Sequence, residues 1–334
     1  MFDLPRLLLL PGTLTLAALL VACSGGADSP GDVGEGANAT LAPAEGNPFA
    51  AGAPYADPDS RAARAALRAD RTGDTETARI FDRLAQTPSG IWLTPEEFSP
   101  GQVAAKVTAI VAEAAAAGQV PVFVVYGIPD RDCTGGFSAG GLPAAQYGPW
   151  VQEIADAAAG AVAVVEPDAL ASALQCDRRD QRVQLIRDAV DRLRSAGVTT
   201  YVDGGHSNWI DPVALADLLR EVGVESVRGF ASNVSNYQTD EDERAYAETL
   251  SSLLGGVHFV IDSGRNGRGS IEEWCNPEGR AFGRDPEVVD DGSALDAYLW
   301  VKPPGESDGE CQGGPAAGEF WVDQTLEMAA ASGW

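Results

Sequence analysis

Seven short apolar segments alternate with longer Ala-, Leu- and Arg-rich segments, and this alternation constrains the fold more than any other feature. The apolar segments are rich in β-branched residues and lie at 90–93, 121–126, 162–166, 198–202, 227–231, 257–261 and 298–301. Helical spacing marks the segments 101–117, 144–159, 179–195, 212–222 and 240–254. Such alternation is typical of a parallel sheet covered by helices, with strands buried on both faces. An open doubly wound sheet and a closed barrel both fit, and about seven strands favour a barrel.

The N-terminus has the pattern of an export signal. Arg6 precedes an apolar run over 7–21, which is short for a membrane span. The run ends in Leu-Val-Ala-Cys, which resembles a bacterial lipobox and predicts cleavage before a lipid-carrying Cys23. A plain signal peptide with a chance cysteine is the alternative. We therefore predict a lipoprotein signal peptide at 1–22, a flexible Gly/Ala/Pro-rich tether at 23–47 and a catalytic domain at 48–334, exported and either anchored to the outer face of the membrane or secreted.

Charge and cysteine content exclude some classes of function. A formal net charge of −26 makes nucleic acid an unfavourable partner. Only two histidines are present, which argues against a His-rich metal site. Apart from Cys23 there are four cysteines, and an even number in an exported chain suggests two disulfides with three possible pairings. The sequence contains no CxxC pair, so the cysteine spacing does not indicate a zinc site.

Polar and aromatic residues follow the apolar segments at the points where the predicted strands end. Examples are Asp132 after the second segment, Asp168 after the third, His206 after the fourth and Asp308 after the last. In parallel α/β folds the ligand site lies at the carboxyl ends of the strands. The sequence therefore predicts an active site at one rim of the barrel. No GxGxxG or GxxxxGK[ST] motif follows any strand, so a nucleotide site is not predicted.

Carboxylates in this number indicate either a metal site with oxygen ligands or acid/base hydrolysis of glycosides. The tryptophans Trp92, Trp209 and Trp274 lie at strand ends or in loops, where core packing does not explain them well. Flat aromatic faces stack on the apolar faces of sugar rings. The tryptophans therefore favour the glycosidase interpretation over a metal-dependent hydrolase.

Five motifs resemble those of glycoside hydrolase family 6, the cellobiohydrolases and endoglucanases. They are YGIPDRDC at 126–133 with SAGG at 138–141, EPDAL at 166–170, YVDGGH at 201–206, NVSNY at 233–237 and WVKPPGESDG at 300–309. The resemblance covers residues 48–334. It implies a distorted, incomplete parallel β/α barrel of about seven strands, β-1,4-glucan substrates and hydrolysis with inversion at the anomeric carbon.

The resemblance also implies roles for three carboxylates. Asp168 matches the general acid, which has to hold a proton near neutral pH and therefore needs burial or a neighbouring negative charge. Asp132 matches the carboxylate beside the acid, and Asp308 the proposed base, acting directly or through a water chain that includes Ser138. The alternatives from the residues alone are a helix N-cap for Asp168, an ion pair with Arg131 for Asp132 and a solvated loop acid for Asp308.

The remaining site residues come from the same resemblance. The family pattern places ten residues at or beside the sugar: Trp92, Tyr126, Ser138, Asp203, His206, Trp209, Asn233, Trp274, Lys302 and Glu306. It pairs Cys133 with Cys176 and Cys275 with Cys311, and it requires no cofactor and no metal. The short stretch between Cys275 and Cys311 favours an open cleft and internal cleavage, and we expect a monomer. The alternatives are an exo-acting cellobiohydrolase and a non-catalytic sugar-binding lipoprotein.

Overall fold

The computed structural model describes residues 46–334 of the chain. Its strands are β1 (Ile91–Leu93), β2 (Val122–Val125), β3 (Val162–Val165), β4 (Thr199–Asp203), β5 (Gly229–Ser232), β6 (His258–Asp262), β7 (Glu287–Val288) and β8 (Leu295–Leu299). Its helices are α1 (Arg61–Thr72), α2 (Thr75–Gln86), α3 (Val103–Ala117), α4 (Ala144–Ala157), α5 (Arg179–Ser195), α6 (Pro212–Glu221), α7 (Asp240–Leu253) and α8 (Val322–Ala331). The signal peptide, Cys23 and nearly all of the tether lie outside the described residues. Within 46–334, no helix combines the length and apolar character needed to cross a bilayer.

The strands form one curled sheet in the order β1-β2-β3-β4-β5-β6-β8-β7. All neighbouring pairs are parallel except β7 with β8, where a two-residue strand adds an antiparallel edge. The sheet is not closed by strand pairing between β1 and β8. Just before β1, however, the Gly90 amide donates to the carbonyl of Trp300, which follows β8, at 2.8 Å, so these two parts of the sheet lie close together. The prediction of a distorted, incomplete β/α barrel is confirmed, with all seven predicted strands present and β7 in addition.

The strand cores are apolar on both faces because the sheet is packed from both sides. In β2, Phe123 and Val125 contact the outer layer of helices, while Val122 and Val124 face the interior of the curled sheet. All four side chains are buried. This alternation within a continuous apolar run follows from the period of two along a strand, and it leaves the loops after the strands as the place for polar chemistry.

The last strand begins three residues earlier than predicted, at Leu295 instead of 298. Asp296 interrupts the apolar pattern there, although its side chain is buried. Its carboxylate is compensated inside the barrel by Arg228 at 2.7 Å and by the hydroxyl of Tyr201 at 2.6 Å. A buried acid whose partners lie on β4 and just before β5 has the sequence pattern of a loop residue, which explains the error.

Helices α1, α2 and α8 were not predicted. They form a separate apolar cluster in which Phe81 and Leu84 of α2 pack with Met328 of α8 and with Trp300. α1 begins at an N-cap, Ser60, whose side chain accepts a hydrogen bond from the Ala63 amide. The packing of α1 against α2 brings residues 57–64 to the rim at the strand ends, where the sequence had not placed any functional residue.

Candidate active site

A cleft of about 1310 Å³ crosses the carboxyl ends of the strands. All but two of the predicted catalytic and sugar-binding residues line it: Trp92, Tyr126, Asp132, Ser138, Asp168, His206, Trp209, Trp274, Lys302, Glu306 and Asp308. The cleft exceeds the roughly 300–1,000 Å³ of a typical small-molecule pocket. Its size and aromatic lining suit an extended ligand.

Asp168 follows β3 in a left-handed backbone conformation, with φ of 67°. Its amide donates to Oδ2 of Asp203 at 2.9 Å. The following 3-10 helix, Ala171–Leu174, is capped by Leu170, so Asp168 does not serve as its N-cap. Burial, and then the negative charges of Asp203, Asp132 and Asp308, raise the pKa of Asp168 far above its ordinary range. This carboxyl group therefore keeps its proton at a pH where an exposed aspartate loses it.

Asp132 organises the loop that carries Ser138. Its Oδ2 accepts hydrogen bonds from the Ser138 amide at 2.7 Å and hydroxyl at 3.2 Å, and Oδ1 accepts from the Gly135 amide at 3.1 Å. The Ser138 hydroxyl also lies 2.9 Å from the Tyr126 hydroxyl. Arg131 pairs with Glu96 at 2.9 Å, and no ion pair joins it to Asp132 within the described chain. The Asp132 side chain is thus committed to the backbone and hydroxyl of the serine loop.

Asp308 is held by a cation that sequence reasoning did not include in the site. Nη1 of Arg265 donates to both oxygens of Asp308, at 2.8 and 2.9 Å. The Tyr237 hydroxyl at 3.3 Å and the Asn276 amide at 3.0 Å also donate to Oδ2. Asp308 is therefore not a solvated loop acid. The signal for Arg265 was its position just after β6, where the sequence analysis had placed the rim.

Asp262 is a second residue at the rim to which the sequence assigned no role. Its buried carboxylate, at the end of β6, accepts four backbone amides, those of Ser235, Gly264, Val301 and Lys302, at 2.9 to 3.2 Å. Burial outweighs these bonds and raises its pKa to about 6. Asp262 joins the loops after β5, β6 and β8, and so fixes the backbone that carries Arg265 and Lys302.

Aromatic side chains form the walls of the cleft. The Trp92 indole donates from Nε1 to the carbonyl of Val301 at 2.9 Å and lies edge-on to Tyr126, with ring centroids 5.0 Å apart. Lys302 Nζ lies 5.2 Å from the Trp92 ring centroid. Trp274 packs against Phe137, with ring centroids 5.8 Å apart, and is 42% exposed, enough to offer its face to a ligand. The aromatic rings are thus distributed along the cleft.

His206 and Trp209 lie together in the loop after β4. Their ring centroids are 5.6 Å apart. Burial lowers the pKa of His206 to about 4, so its imidazole is neutral near pH 7. A neutral imidazole both donates and accepts a hydrogen bond, which suits contact with sugar hydroxyls.

Two predicted sugar-binding residues, Asp203 and Asn233, lie behind the cleft wall and do not line it. Asp203 is 1% exposed and accepts the amides of Asp168 and Gly205 through Oδ2, while burial raises its pKa to about 7. Asn233 is fully buried, and its amide group is bonded to the backbone of Gln238 and Asp262. Asp203 thus supports the site from behind the wall, and Asn233 holds the backbone of the loops that carry cleft residues.

Two disulfides tie loops at the same rim. Cys133 is bonded to Cys176, with Cα atoms 6.1 Å apart, and Cys275 is bonded to Cys311 at 6.2 Å. This is the pairing that the family resemblance implied. The first bond links the serine loop to the loop after Asp168, and the second links the Trp274 loop to the Asp308 loop. In residues 46–334, no group of three or more His, Cys, Asp or Glu side chains is arranged to hold a metal ion.

Comparison with known proteins agrees with this geometry. The family model described as glycosyl hydrolases family 6 matches residues 49–332. Endoglucanase A of Cellulomonas fimi is 43% identical over 281 residues, which are 84% of this chain and 61% of that protein. Exoglucanase 3 of Agaricus bisporus is 31% identical over 274 residues, 68% of this chain and 61% of that protein. The match thus spans about three fifths of the length of each relative.

A solved structure with the same fold is that of the endoglucanase Cel6 from Mycobacterium tuberculosis, in complex with methyl-cellobiosyl-4-deoxy-4-thio-β-D-cellobioside. It is 41% identical to this chain and superposes with a TM-score of 0.81. The match covers 86% of this chain and 100% of that structure. The incomplete barrel described above is therefore the fold of that enzyme.

Proposed function

The chain belongs to glycosyl hydrolase family 6, and from that membership we propose that it hydrolyses internal β-1,4-glucosidic bonds of cellulose-type glucans. The observation that carries the proposal is the position of Asp168, a carboxyl group whose pKa is raised by burial and by Asp203, Asp132 and Asp308, in an aromatic-lined cleft. Glycoside hydrolysis needs one protonated and one ionised carboxyl group. This arrangement supplies both.

In the proposed reaction Asp168 gives its proton to the glycosidic oxygen. The bond from that oxygen to the anomeric carbon breaks, and the leaving sugar keeps the electron pair as its hydroxyl. A water molecule attacks the anomeric carbon from the opposite face, so the configuration inverts. The negative charge of Asp132 favours the oxocarbenium-like transition state between the two events.

The proton of the attacking water goes to Asp308, and we propose that it travels through an intervening hydroxyl. The oxygens of Asp308 already accept from Arg265, Tyr237 and Asn276, which leaves little room for a direct contact with water. The Ser138 hydroxyl is supported by Asp132 and Tyr126 and lines the same cleft. We therefore propose that the Ser138 hydroxyl, whose own hydrogen bonds lead to Asp132 and Tyr126, passes the proton on toward Asp308 through further water in the cleft.

Internal cleavage is supported by the short stretch between Cys275 and Cys311 and by the name of the Cellulomonas fimi relative. The exoglucanase from Agaricus bisporus supports the exo-acting alternative on the same fold. The deciding measurement is the loss of viscosity of carboxymethylcellulose per reducing end released. A high ratio is expected, and a low ratio would establish exo action.

The chemistry is tested with β-glucan and cello-oligosaccharides, following the first product by proton NMR. The first product should carry the α configuration, and the Asp168→Ala variant should be inactive on the same substrates. A first product with β configuration would overturn the inverting mechanism. Turnover by the Asp168→Ala protein at the wild-type rate would overturn the assignment of the acid.

We also propose that the mature chain is exported and anchored through a lipid on Cys23. The lipobox-like sequence before Cys23 supports this. Growth of cells expressing the full chain with labelled palmitate tests it. Label is expected in the wild type and not in Cys23→Ala, and equal labelling of both proteins would contradict the anchor.

A further inference from the structure

The cleft does not end at the predicted sugar-binding residues Lys302 and Glu306. It continues to the N-terminus of α1, where Ser60, Arg61 and Arg64 line it. α1 is not part of the α/β repeat that forms the barrel, and none of these residues has a role in the proposed chemistry. Their position extends the groove beyond the catalytic carboxylates.

Arg61 is the central side chain of this extension. Its Nη2 lies 2.7 Å from Glu97 and its Nε lies 3.5 Å from Glu306. The Arg61 side chain is 34% exposed, and its Nη1 has no hydrogen-bond partner among residues 46–334. The guanidinium therefore bridges the cleft-lining acid Glu306 to Glu97 while one of its nitrogens remains available to a ligand.

The surroundings of Arg61 form a shaped wall. Glu306 pairs with Phe320 in an isolated antiparallel bridge, which brings residues 316–320 to the same place. Phe320 packs edge-on against Phe81 of α2, with ring centroids 5.0 Å apart. Gly318, whose φ of 80° favours glycine, lies beside the guanidinium, since a Cβ there would be 4.0 Å from Nη2 of Arg61. The wall thus combines a rigid aromatic base with polar groups at its edge.

Such a set of groups matches the chemistry of a glucosyl unit. A guanidinium presents several planar N–H donors in a fixed geometry, and the flanking carboxylates accept hydrogen bonds from hydroxyls. Partly exposed ion pairs contribute only ~0–1 kcal/mol to stability. Stabilising α1 therefore does not explain this arrangement well, whereas contact with adjacent sugar hydroxyls does.

We infer that Arg61, with Glu97 and Glu306, forms an additional glucosyl-binding position at the α1 end of the cleft, which makes cleavage more efficient as the glucan chain lengthens. The inference rests on the proposed β-1,4-glucanase function and adds the determinant of chain-length preference. It gives α1, one of the helices outside the barrel repeat, a role in substrate selection.

The test compares kcat/KM on cellotetraose, cellopentaose and cellohexaose for the wild type and Arg61→Ala. The cellohexaose-to-cellotetraose ratio is expected to fall about tenfold in Arg61→Ala, which corresponds to the loss of one charge-assisted hydrogen bond. Arg68→Ala removes an equal charge from the same face of α1, two turns further on and outside the cleft lining. Its ratio should remain that of the wild type.

A binding measurement separates recognition from chemistry. In the Asp168→Asn background, calorimetric titration with cellohexaose should give a Kd about tenfold weaker when Arg61→Ala is added. Arg61→Gln, which keeps hydrogen-bond donors, should recover part of the affinity; this variant also serves if Arg61→Ala unfolds. An unchanged ratio and Kd in both Arg61 variants would overturn the inference while leaving the glucanase function in place. A wild-type protein that cleaves none of the oligosaccharides would overturn the proposed function itself.

Discussion

Arg265 holds both carboxylate oxygens of Asp308 through a single nitrogen, Nη1, at 2.8 and 2.9 Å. The two side chains are 3% and 6% exposed, so the pair is screened from water. The charge on Arg265 is thereby placed at the centre of the site, where it faces the acidic cluster around Asp168. The loop after β6 therefore fixes the position of Asp308 through Arg265, whereas burial and neighbouring charges raise the pKa of Asp168.

Replacing Arg265 with methionine should therefore destabilise the protein and abolish most activity. Removing one partner of a buried ion pair leaves the other charge uncompensated and costs about 3–5 kcal/mol. Urea unfolding at pH 7 measures the loss. Arg268→Met, a change at an exposed arginine three residues away, should cost less than ~0.5 kcal/mol. Equal unfolding free energies for the two variants would contradict the importance of the buried pair.

Asp132→Asn should move the alkaline limb of the pH profile of kcat/KM toward lower pH. Asp168 has to be protonated, so activity falls as the pH rises through its pKa, and the negative charge of Asp132 is one of the causes that raise this pKa. Removing that charge lowers the pKa and shifts the limb in the acid direction. Asp130→Asn, at a neighbouring acid that is exposed and paired with Arg178, is the control. A limb that stays in place, or moves to higher pH, would contradict the coupling.

The Asp168→Asn variant should lose activity in proportion to how much the leaving group needs a proton. On cello-oligosaccharides we expect kcat/KM to fall roughly 10²–10⁴-fold, the usual contribution of general acid catalysis. On an aryl cellobioside with an acidic phenol the loss should be much smaller, because that leaving group departs without protonation. Asp180→Asn, at a side chain that is 94% exposed, should behave as the wild type on both. Equal losses on the two substrates would assign Asp168 a role other than the acid.

Most of the barrel was predictable because its strands are short, continuous and apolar, and because helices of regular length separate them. α5 is predicted at the bounds it has in the structure, Arg179–Ser195. The start of β8 was predicted too late for a different reason. Asp296 is buried because Tyr201 on β4 and Arg228 just before β5 compensate its charge, and no local sequence pattern reveals these partners. Local periodicity does not report a long-range ion pair, and a buried acid is the case in which it misleads.

Site residues that belong to a recognisable motif were predictable from the sequence. The residues that position them through hydrogen bonds and ion pairs were less so. Asp168 and Asp308 follow strands in recognisable sequence contexts, whereas Arg265 and Asp262 gain their meaning only from partners on other loops. Arg61 lies more than 240 residues from Glu306 in the chain, yet reaches it at 3.5 Å. Contacts of this range depend on how α1 packs, which the amphipathic pattern of a single helix does not determine.

Removing the disulfide between Cys275 and Cys311 should lower both stability and activity. The bond closes a separation of 36 residues, for which chain entropy predicts about 4 kcal/mol of stabilisation. A Cys275→Ser/Cys311→Ser protein should therefore unfold at lower urea than the wild type. Its KM on cellohexaose should rise because Trp274 and Asp308 lie in the two loops that the bond joins. The Cys133→Ser/Cys176→Ser protein is the matched comparison, with a separation of 43 residues. Unchanged unfolding midpoints in both would contradict a stabilising role.

Because of Glu166, the free energy of unfolding should decrease as the pH rises from 5 to 8. A salt-bridged acid, whose pKa is lowered, has the opposite effect and adds stability as the pH rises. Its side chain is fully buried and Oε1 accepts the Gly127 amide at 2.9 Å. Burial raises its pKa from 4.5 to about 7, so the folded protein keeps this proton where the unfolded chain releases it. The stabilising contribution is complete below the ordinary pKa and is lost as the pH rises toward 7.

The Glu166→Gln variant isolates this contribution because the amide keeps an oxygen for Gly127 and cannot ionise. Relative to the wild type, its free energy of unfolding should increase by about 2–3 kcal/mol between pH 5 and pH 8, from a pKa difference of roughly two to three units. Urea unfolding at both pH values measures the change. Because Asp203 and Asp262, with their own raised pKa values, are present in both proteins, their effects cancel in the difference. A difference that is constant with pH would show that Glu166 is ionised in the folded protein throughout. In that case burial would not be sufficient to hold a proton on the carboxyl group two residues before Asp168.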